Sequence, residues 1–89
     1  MKQDTIKPEF VEFIPEKRED GLLYISTIFS VAVHNCCCGC GMETVTPLGP
    51  DQWEMTYNGE EVTLNPSIGN QQFECQSHYL IRDNKVIWL

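Results

Sequence analysis

His34-Asn35-Cys36-Cys37-Cys38-Gly39-Cys40-Gly41 places four of the chain's five cysteines in consecutive or near-consecutive positions. The fifth opens a second cluster, Cys75-Gln76-Ser77-His78. Thiolate sulfur and imidazole nitrogen are the donors zinc prefers, and a small domain gains folding free energy when one ion ties distant segments together. These two stretches therefore predict a zinc site that joins the middle of the chain to its last quarter.

Cys36, Cys38 and Cys40 lie two apart and share one side of an extended segment, while Gly39 and Gly41 permit the sharp bends that curl them toward a single ion. Cys37 then points away and is the spare. Cys75 supplies the long-range ligand. The first expected set is Cys36, Cys38, Cys40 and Cys75. A second is Cys38, Cys40, Cys75 and His78, because Cys-x-x-His is itself a ligand spacing; His34 is third in line. The bland alternative is a group of free or redox-active thiols without metal.

Eighty-nine residues make a single domain, residues 1–89, near the lower limit of what folds without a staple. Six basic residues against 13 acidic ones give a net charge of -7, which argues against a nucleic-acid partner. No stretch approaches the roughly 20 apolar residues that span a bilayer, so no membrane partner is expected. The first residues, Met1 to Pro8, have no apolar core of a secretory signal. A reducing cytoplasm is the expected home, and there clustered cysteines act as metal ligands rather than disulfides.

Outward from the cysteines, the chain predicts a mostly β fold: a small antiparallel domain with one or two short helical turns. Residues from Pro8 alternate toward a strand that ends at Pro15, and Leu22 to Ser26 form a second strand. Thr27 to Val33 is ambiguous. With Ser26 as a cap, Ile28, Val31 and Ala32 share a helical face; the competing alternation of Ile28, Ser30, Ala32 and His34 suits a strand. The short helix is preferred. Glu43 to Thr46 is a strand stopped by Pro47 and Pro50. Asn58-Gly59 is the strongest hairpin signal, with Tyr57 opposite Glu60, Met55 opposite Val62 and Trp53 opposite Leu64. Gln72 to Glu74 forms a short strand into Cys75. A last hairpin turns at Asp83-Asn84, placing Ile81 opposite Val86 and Leu80 opposite Ile87; apolar on both faces, it is expected in the centre of a sheet. Tyr24, Phe29, Trp53, Phe73, Tyr79 and Trp88 are expected to pack the core.

Nucleophilic chemistry rests on fewer residues. Ser67 lies in a turn-rich loop between Pro66 and Gly69, and His78 or His34 would serve as its base if the fold brings one near. Asn70 reads as a turn former with a secondary role in orienting a His or binding an oxyanion. Three or four thiolates leave an ion too electron-rich to polarise water well, so the metal reads as structural.

Together, His34 to Gly41, Trp53, Tyr57-Asn58-Gly59-Glu60, Val62 to Asn70 with its Pro-Ser-Ile-Gly-Asn, and Cys75-Gln76-Ser77-His78-Tyr79 resemble a small bacterial and phage family, domain of unknown function 6527. The resemblance runs from about Gly21 to Trp88. The family's first block is written His-x-Cys-x-Cys-Gly-Cys-Gly, so Cys36, Cys38, Cys40 and Cys75 match its cysteines, and Cys37 falls on a variable position. Its members resemble zinc-binding proteins, and some are encoded beside bacterial ubiquitin-like conjugation machinery. The resemblance implies a peptidase-like accessory that processes or deconjugates a ubiquitin-like protein, with Ser67, His78 and His34 as the catalytic candidates. The alternative is a non-catalytic zinc-stabilised module that binds a partner protein.

Overall fold

The computed structural model describes residues 2–70 and 74–89. The fold is all-β, with two four-stranded sheets and no helix among the described residues. The first sheet holds β1 (Lys7–Phe10), β2 (Leu22–Ser26), β3 (Val31–Asn35) and β4 (Glu43–Pro47) in chain order. The second holds β5 (Glu54–Tyr57), β6 (Val62–Gly69), β7 (His78–Arg82) and β8 (Lys85–Trp88), again in chain order. Every pairing is antiparallel except β1 with β2, which is parallel.

One core is shared by both sheets. Leu23, Ile25 and Ala32 from the first meet Val62, Leu64, Ile68, Tyr79 and Ile81 from the second, joined by Ile6, Cys36 and Cys37. Burial of each large side chain in this set contributes about 1.5–3 kcal/mol. Residues Asp4 to Ile6 lie along the outside of β8: Val86 N–H donates to the Asp4 carbonyl at 2.9 Å and Ile6 N–H to the Asn84 carbonyl at 2.8 Å. The chain then crosses to the first sheet as β1, so one short segment staples both sheets.

Several expectations change in the structure. The strand near the N-terminus runs from Lys7 to Phe10 and not on to Pro15; its last bond to β2 is Val11 N–H to the Ile25 carbonyl, and the chain bends at Glu12. Thr27–Ser30 is no helix. Ser26 Oγ does accept the Phe29 N–H at 3.3 Å, but Ser30 takes a positive φ of 52° and reverses the chain into β3. The alternation that places Ala32 and His34 in the interior prevails over the helical reading.

The Asn58-Gly59 hairpin forms with a longer turn than expected. Tyr57 pairs with Val62 and Met55 with Leu64, so four residues make the loop. Asn58 Oδ1 accepts the N–H groups of both Glu60 (2.9 Å) and Glu61 (2.7 Å), which holds the wider turn. A shift of two preserves the faces, so Val62 and Leu64 still point inward. The last hairpin has the expected register, with Ile81 opposite Val86 and Leu80 opposite Ile87, and Asp83 and Asn84 take the paired positive φ of 51° and 64°. Of its two strands only β7 is internal, however; β8 ends the sheet and its outer edge is covered by the N-terminal segment.

Among the aromatic residues, Tyr24 and Tyr79 are buried, Trp53 and Trp88 are half-buried, and Phe29 is exposed against Phe13. Phe73 and the strand expected at Gln72–Glu74 lie largely outside the described residues; Glu74 itself is in a turn.

Candidate functional site

Directly after β3 the chain turns tightly. Gly39 N–H donates to the Cys36 carbonyl at 3.1 Å, Cys40 N–H points to Cys38 Sγ at 3.3 Å, and Cys36 N–H closes the loop on the Met42 carbonyl at 2.8 Å. Gly39 and Gly41 take φ of 88° and 81°, which a residue with a Cβ adopts only with strain. This turn presents three sulfurs on one side, and Cys75, entering β7 from the second sheet, brings the fourth. The ligand atoms of Cys36, Cys38, Cys40 and Cys75 all lie within 4.8 Å of one another.

The spacing tests whether a metal fits. Zinc–sulfur bonds of about 2.3 Å at tetrahedral angles require sulfur–sulfur edges of about 3.8 Å. Cys36–Cys75 and Cys40–Cys75 are both 3.8 Å apart, and Cys36–Cys38 is 3.4 Å. All five cysteines are free thiols, so no disulfide accounts for the approach. Four sulfurs this close cannot all be thiolates without a cation, because each negative charge raises its neighbours' pKa. Ser77's hydrogen bond holds the Cys75 thiol down to about 6, whereas desolvation and the hydrogen bonds it shares with its sulfur neighbours push Cys38 upward. A divalent ion held here would displace these protons and satisfy every sulfur at once.

Cys37 is fully buried and turned into the core, where burial pushes its thiol up to about 12. It stands outside the four-sulfur group, as the spacing argument expects. Neither histidine belongs to the group. His34 is fully buried, its Nε2 lies 2.7 Å from Tyr79 Oη, and loss of hydration lowers its pKa to about 4.

Two polar residues surround the sulfurs. Ser77 Oγ lies 3.0 Å from Cys36 Sγ and 3.4 Å from Cys75 Sγ, and the Asn70 amide donates to Cys36 Sγ and Ser77 Oγ at 3.3 Å each. Asn70 is thus a buried anchor of the cysteine cluster and, among the described residues, hydrogen-bonds to neither His. Sequence reasoning gave Ser77 no role; its position between a ligand cysteine and His78 was the available signal.

Ser67 and His78 meet on the outward side of the second sheet. Pro66 cannot donate to a ladder, and the register between β6 and β7 shifts between Leu64 and Ile68. Beyond this bulge Ile68 turns inward, while Ser67 is half-buried on the other face; His78, paired with Gly69, shares that face. Ser67 Oγ lies 2.9 Å from His78 Nε2. Among the described residues no carboxylate hydrogen-bonds to His78. The geometry therefore selects His78, and not His34, as the histidine beside Ser67.

The family described as bacterial ubiquitination-like system serine protease (BubE) matches residues 10–89. The chain belongs to the BubE family. The match covers nearly all of the fold and both halves of the Ser67–His78 pair. The resemblance to domain of unknown function 6527 pointed to the same ubiquitin-like setting under another family name. No curated protein and no solved structure matches the chain significantly.

Proposed function

We propose that this member of the BubE family is a serine peptidase that cuts the bond joining the C-terminus of a ubiquitin-like protein to its attached chain, with Ser67 as nucleophile and His78 as general base. The observation that carries the reading is the 2.9 Å contact between Ser67 Oγ and His78 Nε2, within the range in which an imidazole takes a hydroxyl proton. As Oγ bonds to the carbonyl carbon, its proton passes to His78 Nε2. The same proton then goes to the departing nitrogen as the carbon–nitrogen bond breaks. Water, deprotonated by His78, hydrolyses the acyl-serine and restores the pair.

Cys36, Cys38, Cys40 and Cys75 would hold a zinc ion, which when bound cross-links the loop after β3 to the entry of β7. The residues of the chain transmit that restraint: Ser77 touches two of the sulfurs and is followed directly by His78. The cluster's role is to set the backbone from which His78 projects. The partner is a protein, in keeping with the family's setting in a ubiquitination-like system.

The test uses a ubiquitin-like protein fused at its C-terminus to a fluorescent protein. Ser67→Ala is expected to keep the parent's fold and metal content and to reduce cleavage by about a thousandfold or more. A Ser67→Ala protein that cleaves at the parent's rate rules out this mechanism. If neither protein cleaves while both retain the partner, the domain is a binding module instead.

A further inference from the structure

A cleft of about 270 Å³ lies between the outer strand of the first sheet and the end of β6, lined by Glu43 to Thr46 on one side and Trp53, Ile68, Gly69 and Asn70 on the other. Both walls are strand edges. Among the described residues β4 pairs only with β3, and β5 covers β6 only from Val62 to Asn65, leaving the segment around Ile68 and Gly69 without a strand partner on that side.

Hydrogen bonding alternates along an antiparallel pair, so bonds at the ends of a ladder assign the groups between them. Leu48 N–H donates to the Ser30 carbonyl and Cys36 N–H to the Met42 carbonyl. With this register Thr44 and Thr46 turn their main chain toward β3, and Glu43 and Val45 turn theirs outward to the cleft. The Pro47 carbonyl fits the pattern, since it accepts the Trp53 N–H at 3.0 Å on that outer side. Across the cleft, Asn70 N–H donates to the Ser77 carbonyl, so Gly69 directs its own amide and carbonyl away from β7 and into the same space. Two further wall atoms, Thr44 Oγ1 and Trp53 Nε1, are buried without a hydrogen-bond partner among the described residues. Buried polar groups are normally paired, and these adjoin a cleft bordered by main chain that has no partner among the described residues.

We propose that this cleft takes an extended stretch of the protein substrate as an added β-strand, paired with Glu43 and Val45, and leads it past Gly69 to Ser67. The inference rests on the peptidase reading and names how that site holds its substrate. Strand addition suits a substrate whose cleaved segment is an unstructured tail, because main-chain bonds capture it without demanding particular side chains.

Val45→Pro and Glu43→Pro each delete an amide that faces the cleft and leave the bonds between β3 and β4 in place, and proline is tolerated on an edge strand. With the fluorescent fusion as substrate, each is expected to raise KM about tenfold while Val45→Ala stays near the parent. Labelling of Ser67 by a small fluorophosphonate should be unchanged in all three. Separately, adding the fusion to the Ser67→Ala protein should slow hydrogen exchange at the Val45 and Gly69 amides about tenfold or more. Parent KM in folded Val45→Pro and Glu43→Pro, or unchanged exchange at Val45 in the bound complex, overturns the proposal while leaving Ser67 chemistry intact. Slowed exchange at both amides without any cleavage by the parent keeps the cleft as a binding site and removes the catalytic reading.

Discussion

Ser77 Oγ stands 3.0 Å from Cys36 Sγ across a gap of 41 residues in the chain, and the residue after Ser77 is the histidine that meets Ser67. The four-cysteine cluster and the Ser67–His78 pair are therefore joined through the short segment from Cys75 into β7. Any looseness at the sulfurs reaches His78 through a single peptide unit.

Purified protein is expected to carry one zinc ion per chain. Cys40→Ser and Cys75→Ser should each abolish stoichiometric binding, whereas Cys37→Ala should keep it and cost about 1–2 kcal/mol through lost packing. Elemental analysis together with denaturant unfolding measures both quantities. Full zinc content in Cys75→Ser protein would refute the assigned ligand set.

Ser77→Ala removes a hydroxyl that touches two sulfurs and the Asn70 amide. Partners of this kind tune metal affinity by about 10–100-fold. Zinc transfer to a chromophoric chelator should accelerate by about tenfold or more. A release rate equal to the parent's would mean that Ser77 gives the site no support.

Tyr79→Phe takes from the buried His34 ring its hydrogen-bond partner at 2.7 Å, in a place where His34 Nδ1 already has none among the described residues. An abandoned buried polar group costs about 1–3 kcal/mol. Equilibrium unfolding should show a loss of that size, with Ser67 still labelled by a fluorophosphonate because His78, and not His34, lies beside it. A loss of labelling with the fold intact would instead connect His34 to the reaction.

Asn84 does two jobs in the last turn: it tolerates a positive φ of 64°, and its Oδ1 accepts the Val62 N–H at 2.8 Å. Asn84→Ala should cost about 1–2 kcal/mol. Asn84→Gly relieves the backbone but not the lost bond, so a melting temperature restored to the parent value in that variant would show that only φ matters.

Much of this site can be read from local chemistry. The clustered thiols, the two glycines between them and the need for a distant fourth ligand put Cys36, Cys38, Cys40 and Cys75 first among the expected sets, because ligand type and short spacing are properties of the chain itself; the fold gathers that set and leaves His78 out of it. Asp83-Asn84 likewise specifies its hairpin and register within a few residues. The Asn58-Gly59 turn shows the limit. The dipeptide announces a reversal, but the Asn58 side chain selects a four-residue loop by accepting two amides.

Thr27–Ser30 marks a second limit. Ser26 offers a cap that suits a helix, and only pairing with both β2 and β4 decides that Val31–Asn35 is a strand. Local preference there is weak, and burial of Ala32 and His34 between two sheets overrides it.

By itself the sequence determined an acidic, β-rich chain with a cysteine cluster able to hold a soft metal and named Ser67, His78 and His34 as candidates for nucleophilic chemistry. Only the tertiary structure chose between the histidines. The β6 bulge after Pro66 and the pairing of Gly69 with His78 put His78 beside Ser67, while His34 is enclosed against Tyr79. The reason is physical: ligand chemistry and turn preference act over a few residues, but the distance between side chains on separate strands is set by register, and register follows from how both sheets bury their inner faces together.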